Sequence, residues 1–131
     1  KDDDNISVIK SIKSNLNSKG QAVIDFFNID YVLDNLIKYE EKTVDQTKFV
    51  INRYLENNLL IKDITIDSNN KQYKFQEKVK AYRVKDFLTM FKECDLEFKE
   101  KFGDYNLNSF NKNSSPRLIM VIEWFISRIN C

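Results

Sequence analysis

The spacing at which apolar residues recur along this chain changes once from that of a helix, about 3.6 residues, to that of a strand, two residues. Ile64 and Ile66 alternate with polar residues, and so do Tyr73 and Phe75 after the polar run at residues 68–71. Alternation brings every second side chain to one face of a strand, and a polar run between two such segments is typical of a turn. The sequence therefore predicts a β-hairpin with one apolar face, placed between segments of helical pattern.

Three helices are predicted before this hairpin. The first covers residues 5–17, where isoleucines recur at three-residue spacing. Asp30 can cap a second helix that continues to residue 41. The Thr-Val-Asp-Gln sequence at residues 43–46 matches a capping box and opens a third helix, which ends near residue 57. The apolar run at residues 22–27 fits a strand or a helical turn, and its periodicity does not decide between them.

The helical pattern returns after the hairpin. Apolar residues at helical spacing predict a helix that begins at residue 84 and ends near Gly103, and the asparagines and serines of residues 104–115 predict a loop. Residues 116–129, Trp124 among them, are apolar on nearly every side. This run predicts a buried helix, and the alternative is a helix whose exposed side binds a partner.

The composition excludes several kinds of chemistry. None of the 131 residues is a histidine, which removes the histidine general base, the histidine-dependent nucleophile systems and the histidine metal ligands. Two glycines leave little room for a glycine-rich phosphate loop. Carboxylates are plentiful, but their spacing does not bring them to one site. We therefore expect no catalytic, cofactor-binding or metal-binding residues, and a protein that is not an enzyme.

The cysteines and the hydropathy indicate a cellular environment. Cys94 falls in a helical pattern and Cys131 lies far from it in sequence, which favours two reduced thiols. No window approaches the apolar length that spans a bilayer. We expect an intracellular, reducing location and no membrane association.

Four segments resemble a known domain. Residues 8–13, the turn through Gly20, residues 49–61 and residues 67–75 are similar to the winged helix that closes the middle subunit of replication protein A, and to its counterpart in the telomere-capping CST complex. The resemblance implies that the hairpin is the wing. The expected fold class is α+β and mainly helical: a winged-helix core over residues 5–76, and a helical extension over residues 77–131 that packs on it within one domain.

A basic stretch is the main candidate for binding. The formal net charge is only +1, yet residues 71–85 carry six basic side chains against one acid, with two tyrosines interleaved. Such a stretch can hold single-stranded nucleic acid or an acidic protein surface, and the alternative is an edge strand that its lysines protect against aggregation. The candidate nucleic-acid or partner-binding residues are Lys48, Asn52 and Arg53 on the third predicted helix, and Lys71, Lys74, Lys78, Lys80 and Arg83 in the basic stretch.

Together these patterns predict a non-enzymatic protein–protein interaction module. The resemblance implies a nuclear complex that binds single-stranded DNA in replication or telomere maintenance, with other subunits of that complex as partners and weak nucleic-acid contact through the basic wing. Two alternatives stay open. One is a winged helix that binds nucleic acid directly; the other is a helical, viral Bcl-2-like inhibitor of the host response, in which residues 60–76 form no hairpin.

Overall fold

The computed structural model describes residues 2–125, which fall into two units. Unit 1 consists of Lys1–Val32 and Arg83–Cys131, and unit 2 is the continuous segment Leu33–Tyr82 between them. The elements in chain order are α1 (Asp2–Asn15), β1 (Gln21–Phe27), α2 (Ile29–Asp34), β2 (Tyr39–Val44), β3 (Thr47–Glu56), β4 (Leu59–Ser68), β5 (Lys71–Lys80), α3 (Val84–Glu93), β6 (Leu96–Phe102) and β7 (Arg117–Trp124).

Unit 1 is built on a three-stranded sheet in the order β1-β7-β6. The central strand β7 runs antiparallel to both neighbours, so β1 and β6 are parallel to each other and their carboxyl ends lie at the same edge of the sheet. Leu118, Met120 and Ile122 of β7 are at most 2% exposed. A nearly continuous apolar run suits a strand that is paired along both edges and buried in this way.

Two helices cover one face of this sheet. Phe26 of β1 packs edge-to-face on Phe87 of α3, with ring centroids 5.1 Å apart. The indole Nε1 of Trp124 donates a hydrogen bond to the backbone oxygen of Lys13 in α1, at 3.1 Å. Alternation places Val23 on the opposite face, where it is 64% exposed. The sheet therefore has one covered face and, at β1, one bare face.

Unit 2 is a four-stranded antiparallel meander in the order β2-β3-β4-β5. Asn57 and Asn58 join β3 to β4, and Asn69 and Asn70 join β4 to β5; all four have φ between 51° and 64°. A two-residue turn with positive φ at both positions matches the twist of antiparallel strands, and asparagine tolerates it better than most residues do. The asparagine pairs thus fix the register of these hairpins.

The mainly helical winged helix is wrong, because strands account for 48% of the structure and helices for 23%. The hairpin over residues 64–75 is present, with Ile64 opposite Phe75, but it belongs to the four-stranded sheet and is not a wing. Neither a winged-helix core over residues 5–76 nor a helical extension over residues 77–131 occurs in the described part of the chain. The all-helical Bcl-2-like alternative is wrong for the same reason.

The third predicted helix is two strands. Thr43 lies opposite Lys48 and Val44 opposite Thr47, so the first two residues of the expected capping box end β2 and the other two, residues 45–46, form the turn of the β2–β3 hairpin. Asp45 has a φ of 52°. Aspartate is common in tight turns as well as at helix N-termini, so this sequence fits either structure. The β-branched and aromatic residues that follow favour a strand.

The other predicted helices are shortened or replaced. The second ends at Asp34, and residues 39–44 form β2. The helix predicted from residue 84 to near Gly103 ends at Glu93; Asp95 takes a φ of 56°, and β6 begins at Leu96. The helix over residues 116–129 is wrong where the structure describes it, since β7 occupies Arg117–Trp124; residues 126–129 lie outside the described residues. A continuous apolar run looks alike in a buried helix and a buried strand.

In the part of the chain that the structure describes, no helix combines the length and the apolar character needed to cross a membrane.

Candidate functional site

The carboxyl ends of β1 and β6 form one rim of the unit 1 sheet, together with the loop of residues 103–116. Asn28, directly after β1, is 3% exposed, and its Nδ2 donates to the backbone oxygens of Lys112 at 2.8 Å and of Ser115 at 2.7 Å. These bonds hold the loop against the end of β1. In open α/β sheets, ligands bind outside the carboxyl ends of the strands, which makes this rim the candidate site of unit 1.

An ion pair lies on this rim. Asp30 stands in the first turn of α2, and its Oδ1 is 3.4 Å from Nη2 of Arg83, the residue that precedes α3. The backbone N–H of Arg83 donates to Oδ2 of Asp86 at 2.8 Å, which fixes the start of α3. Both members of the pair are partly exposed, with side chains 22% and 33% accessible. A guanidinium carries five N–H donors, so Arg83 can donate hydrogen bonds to a polar ligand while it remains paired with Asp30.

A second polar cluster lies beside the rim. Oδ1 and Oδ2 of Asp25 accept hydrogen bonds from Nε of Arg117 at 3.0 Å and from the hydroxyl of Tyr105 at 2.7 Å. Partial burial raises the pKa of Asp25, but the bonds from Tyr105 and Arg117 outweigh it and hold this pKa below its usual value. The same bond to Asp25 raises the pKa of Tyr105. Asp25 is therefore a fixed anion and Tyr105 a neutral donor at physiological pH.

A mostly apolar groove of about 460 Å³ runs between α3 and β6. Leu88, Phe91, Leu96, Phe98 and Phe125 supply its apolar walls. Lys92, Asp95 and Glu97 also line it, and no hydrogen bond or ion pair links these three side chains to one another in the described residues. The groove can accept an apolar group, but it has no arrangement for proton transfer.

The residues predicted to bind nucleic acid or a partner are distributed over both units. Alternation and register place five of them on one face of the unit 2 sheet, which we call the polar face, and two on the other, the apolar face. Those on the polar face are Lys48, Asn52, Lys74, Lys78 and Lys80; those on the apolar face are Arg53 and Lys71. Arg83 belongs to unit 1.

Arg53 has a structural role inside unit 2. Its Nη1 donates to the backbone oxygen of Ile37 and to Oε2 of Glu40, both at 3.1 Å. Hydrogen bonds from Lys42 and Arg53 lower the pKa of Glu40. Since these contacts tie β2 and the segment before it to β3, Arg53 is occupied within the sheet and does not join the other candidate residues.

Sequence reasoning missed a hydrogen-bonded ladder on the polar face. Oδ2 of Asp63 accepts from the hydroxyl of Tyr54 at 3.0 Å, and its Oδ1 accepts from Nε2 of Gln76 at 2.8 Å. The bond to Asp63 raises the pKa of Tyr54. The alternating pattern predicts that Asp63 and Gln76 lie on the polar side of a hairpin. The sequence predicts a helix for the segment that contains Tyr54, however, so its hydrogen bond to Asp63 could not be found from sequence.

No family model matches this chain, and no curated protein matches it in sequence. The solved structures that share its fold include two methyltransferases. An S-adenosylmethionine-dependent methyltransferase from Clostridium acetobutylicum ATCC 824 superposes with a TM-score of 0.73 at 18% identity, over 95% of this chain and 52% of its own. The CcbJ methyltransferase from Streptomyces caelestis superposes with a TM-score of 0.70 at 15% identity, over 93% of this chain and 53% of its own. The chain spans about half the length of these proteins.

This likeness corrects the interpretation from sequence. The chain has the fold of part of a methyltransferase, so the resemblance to the winged helix of replication protein A and the CST complex is wrong. Two expectations depended on that resemblance and are also wrong. One was a non-enzymatic interaction module of a replication or telomere complex, and the other was a winged helix that binds nucleic acid directly. The protein partners, the weak nucleic-acid contact and the nuclear location stay predictions.

The fold of these neighbours implies S-adenosylmethionine, and the described residues do not fit it. A nucleoside cofactor in an α/β sheet needs glycines that let the backbone approach it, and an acid for the ribose hydroxyls. Gly20 precedes β1 rather than following it, and Gly103 packs directly on Ser115, so neither opens a cradle. Asp30, the acid after β1, is bound to Arg83. Within residues 2–125, no group of three or more His, Cys, Asp or Glu residues could hold a metal ion either.

Proposed function

We propose that this chain forms part of an S-adenosylmethionine-dependent methyltransferase. Unit 1 supplies one side of a larger sheet, and unit 2 is a separate antiparallel sheet whose sequence lies between the two segments of unit 1. The observation that carries the proposal is the superposition of 95% of this chain on a methyltransferase about twice its length. At 18% identity this likeness establishes the fold, and the activity is inferred from it.

The free edge of β1 supports a larger sheet. Among the described strands, β1 pairs with β7 alone, so its second edge presents backbone donors and acceptors without a strand beside them. Val23, on the bare face of β1, is 64% exposed. Native sheets pair or cover such edges. Another strand completes unit 1 at this edge, from the same polypeptide or from a second chain.

Because the described residues do not fit the methyl donor, the donor and the methyl acceptor are assigned to different parts of the protein. The donor lies beyond the free edge of β1, on the strands that complete the sheet. The rim of Asn28, Asp30 and Arg83 lies at the carboxyl ends of the strands, where it contacts and orients the methyl acceptor. Asp30 accepts and Arg83 donates hydrogen bonds there, and neither residue is placed to transfer a proton within unit 1.

Binding of S-adenosylhomocysteine tests the proposal. The full-length native protein, with any chain that co-purifies, should bind this product in isothermal titration calorimetry, with a Kd between about 1 μM and 1 mM, the range usual for enzyme ligands. The 131-residue chain alone should not bind it. No binding by the full-length protein would contradict the proposal; equal binding by the isolated chain would contradict the location of the donor.

Hydrogen exchange tests the completed sheet separately. Amides of β1 that point away from β7 should exchange quickly in the isolated chain and slowly in the full-length protein, because pairing protects them. Amides of β7, paired on both edges in either case, serve as the internal control. Equally fast exchange of β1 in both proteins would show that no strand joins its edge.

A further inference from the structure

The strand β5 is the other edge of interest in this chain. It comprises ten residues, Lys71–Lys80, and among the described strands it pairs with β4 alone. All of residues 71–79 are exposed. A long, accessible edge strand presents a row of backbone donors and acceptors to which another strand can add.

The two faces of β5 have different chemistry. Lys74, Lys78 and Lys80 lie on the polar face, where Lys74 and Lys78 form no ion pair within the described residues. Tyr73 and Phe75 lie on the apolar face, 47% and 55% exposed. Val79, on that same face, is 45% exposed. One edge strand thus offers positive charge on one side and apolar surface on the other.

This arrangement favours an extended peptide over a nucleic acid. Phosphate contacts and base stacking need positive charge and aromatic rings on one surface. On β5 the polar face has Lys74 and Lys78 but no aromatic side chain, while on the apolar face Lys71, beside Tyr73 and Phe75, is offset by Glu77. An added β-strand alternates its own side chains between the same two faces and so meets both. The sheet therefore separates three of the four lysines of β5 from its two aromatic rings.

A second copy of this chain fits the edge less well than a different partner. If two β5 strands pair antiparallel about Gln76, each Lys74 lies opposite Lys78 of the other copy, and like charges directly opposite are destabilising. If they pair about Phe75, Lys74 lies opposite Gln76. In neither register does Lys74 or Lys78 gain an acidic partner.

We propose that the free edge of β5 binds an extended segment of a partner protein in which acidic and apolar residues alternate. The segment adds to the sheet of unit 2 as a fifth strand. Its acidic side chains lie beside Lys74 and Lys78 on the polar face, and its apolar side chains pack beside Phe75 and Val79. Main-chain hydrogen bonds supply affinity, and the alternation supplies register and specificity.

A peptide of defined composition tests this inference. The probe is a fluorescein-labelled, N-acetylated decapeptide of alternating glutamate and valine, and binding to the full chain is followed by fluorescence anisotropy. A decapeptide with five glutamates followed by five valines has the same charge without the alternation. The alternating peptide should bind at least about tenfold more tightly than the block peptide, because only its side chains match both faces.

Paired variants locate the site. Lys74→Glu with Lys78→Glu should weaken binding of the alternating peptide at least about tenfold. Lys19→Glu with Lys112→Glu makes the same charge change at exposed positions of unit 1 and should leave binding within about twofold. Phe75→Ser, which keeps every charge, should also weaken binding. Circular dichroism checks each fold, and Lys74→Gln with Lys78→Gln replaces the charge reversal if that variant does not fold.

Hydrogen exchange separates strand addition from simple attraction of charges. Binding of the alternating peptide should slow exchange of β5 amides while leaving β1 amides unchanged. The inference is overturned if the peptide does not bind, if the block peptide binds equally well, or if β5 amides gain no protection. It is also overturned if an oligothymidylate of twenty nucleotides binds the chain and this binding is lost in the variant that carries Lys74→Glu and Lys78→Glu. A chain that dimerises without peptide and thereby protects its β5 amides would overturn it as well.

Discussion

Asn28 and Ser115, 87 positions apart in sequence, are joined by a buried hydrogen bond of 2.7 Å from the asparagine Nδ2 to the serine backbone oxygen. Ser115 also accepts, through its Oγ, from the backbone N–H of Asn111 at 2.7 Å. The end of β1 and the loop before β7 are therefore one hydrogen-bonded structure, and the rim of the unit 1 sheet depends on both.

Asn28→Ala should destabilise unit 1 by about 2–3 kcal/mol, because it removes two hydrogen bonds and leaves two backbone oxygens without that donor. Urea unfolding followed by Trp124 fluorescence reports on unit 1, since this is the only tryptophan of the chain. Asn106→Ala, on an exposed position of the same loop, is the matched control and should cost less than about 0.5 kcal/mol. Equal effects of the two variants would contradict the role of Asn28.

Gly103→Ala should destabilise unit 1 by about 1–3 kcal/mol through overpacking. A methyl group at Gly103 would lie 2.5 Å from Cβ of Ser115 and closer still to its Oγ, while φ of this glycine is not positive. Removing the obstructing side chain in Gly103→Ala with Ser115→Gly should recover part of the loss, measured as a coupling energy in a double-mutant cycle. Gly20→Ala, whose added methyl group would lie 3.1 Å from Oδ1 of the Asn17 side chain as its nearest atom, should cost less. Purely additive changes would rule out the clash.

Asp25 should make unit 1 sensitive to acid. Its pKa is lowered in the folded chain, so the ionised form stabilises the fold above its unfolded pKa, and this contribution is lost as the pH falls below about 4. Asp25→Asn should therefore flatten the acid limb of stability against pH, at a cost of less than about 1 kcal/mol at pH 7 for a pair this exposed. Asp34→Asn, an exposed carboxyl without an ion pair in the described residues, is the control. Identical acid limbs for the wild-type and Asp25→Asn chains would refute the assignment.

Cys94 should be slow to alkylate in the native chain. It is 4% exposed, and burial raises the pKa of its thiol, so little thiolate is available and reagents reach it only after local opening. In a Cys131→Ser background, iodoacetamide should modify Cys94 more slowly than in urea by at least about tenfold. Mass spectrometry of the modified peptide measures the two rates. Similar rates would mean that the thiol is accessible in the folded chain.

Local patterns predicted the parts of this fold that are local. The first helix and the hairpin around Asn69 and Asn70 follow from periodicity and turn chemistry within a few residues. The pairing of β1 with β7, which sets Ala22 opposite Ile122, joins segments 100 residues apart. Nothing in either segment specifies its partner, and the apolar run of β7 satisfied a helical interpretation equally well.

Candidate binding residues could be predicted from sequence only where a single strand or helix contains all of them. The basic character of β5 was visible in sequence, since Lys74, Lys78 and Lys80 occupy one strand. Asn28 and Asp25 were missed because their partners lie 80 or more residues away. Arg83 was grouped with the basic stretch on proximity in sequence, but the structure places it in unit 1, beside Asp30.

The ion pair between Asp30 and Arg83 also bears on how this fold can change over time. It joins the points at which the chain leaves unit 1 for Leu33–Tyr82 and returns from it, with 3.4 Å between the two side chains. A segment that departs and returns at neighbouring points can be exchanged without redirecting the strands on either side. Unit 2 therefore has the character of a cassette: evolution, or an engineer, can replace it with a different module or a short linker while β1, β6 and β7 keep their order.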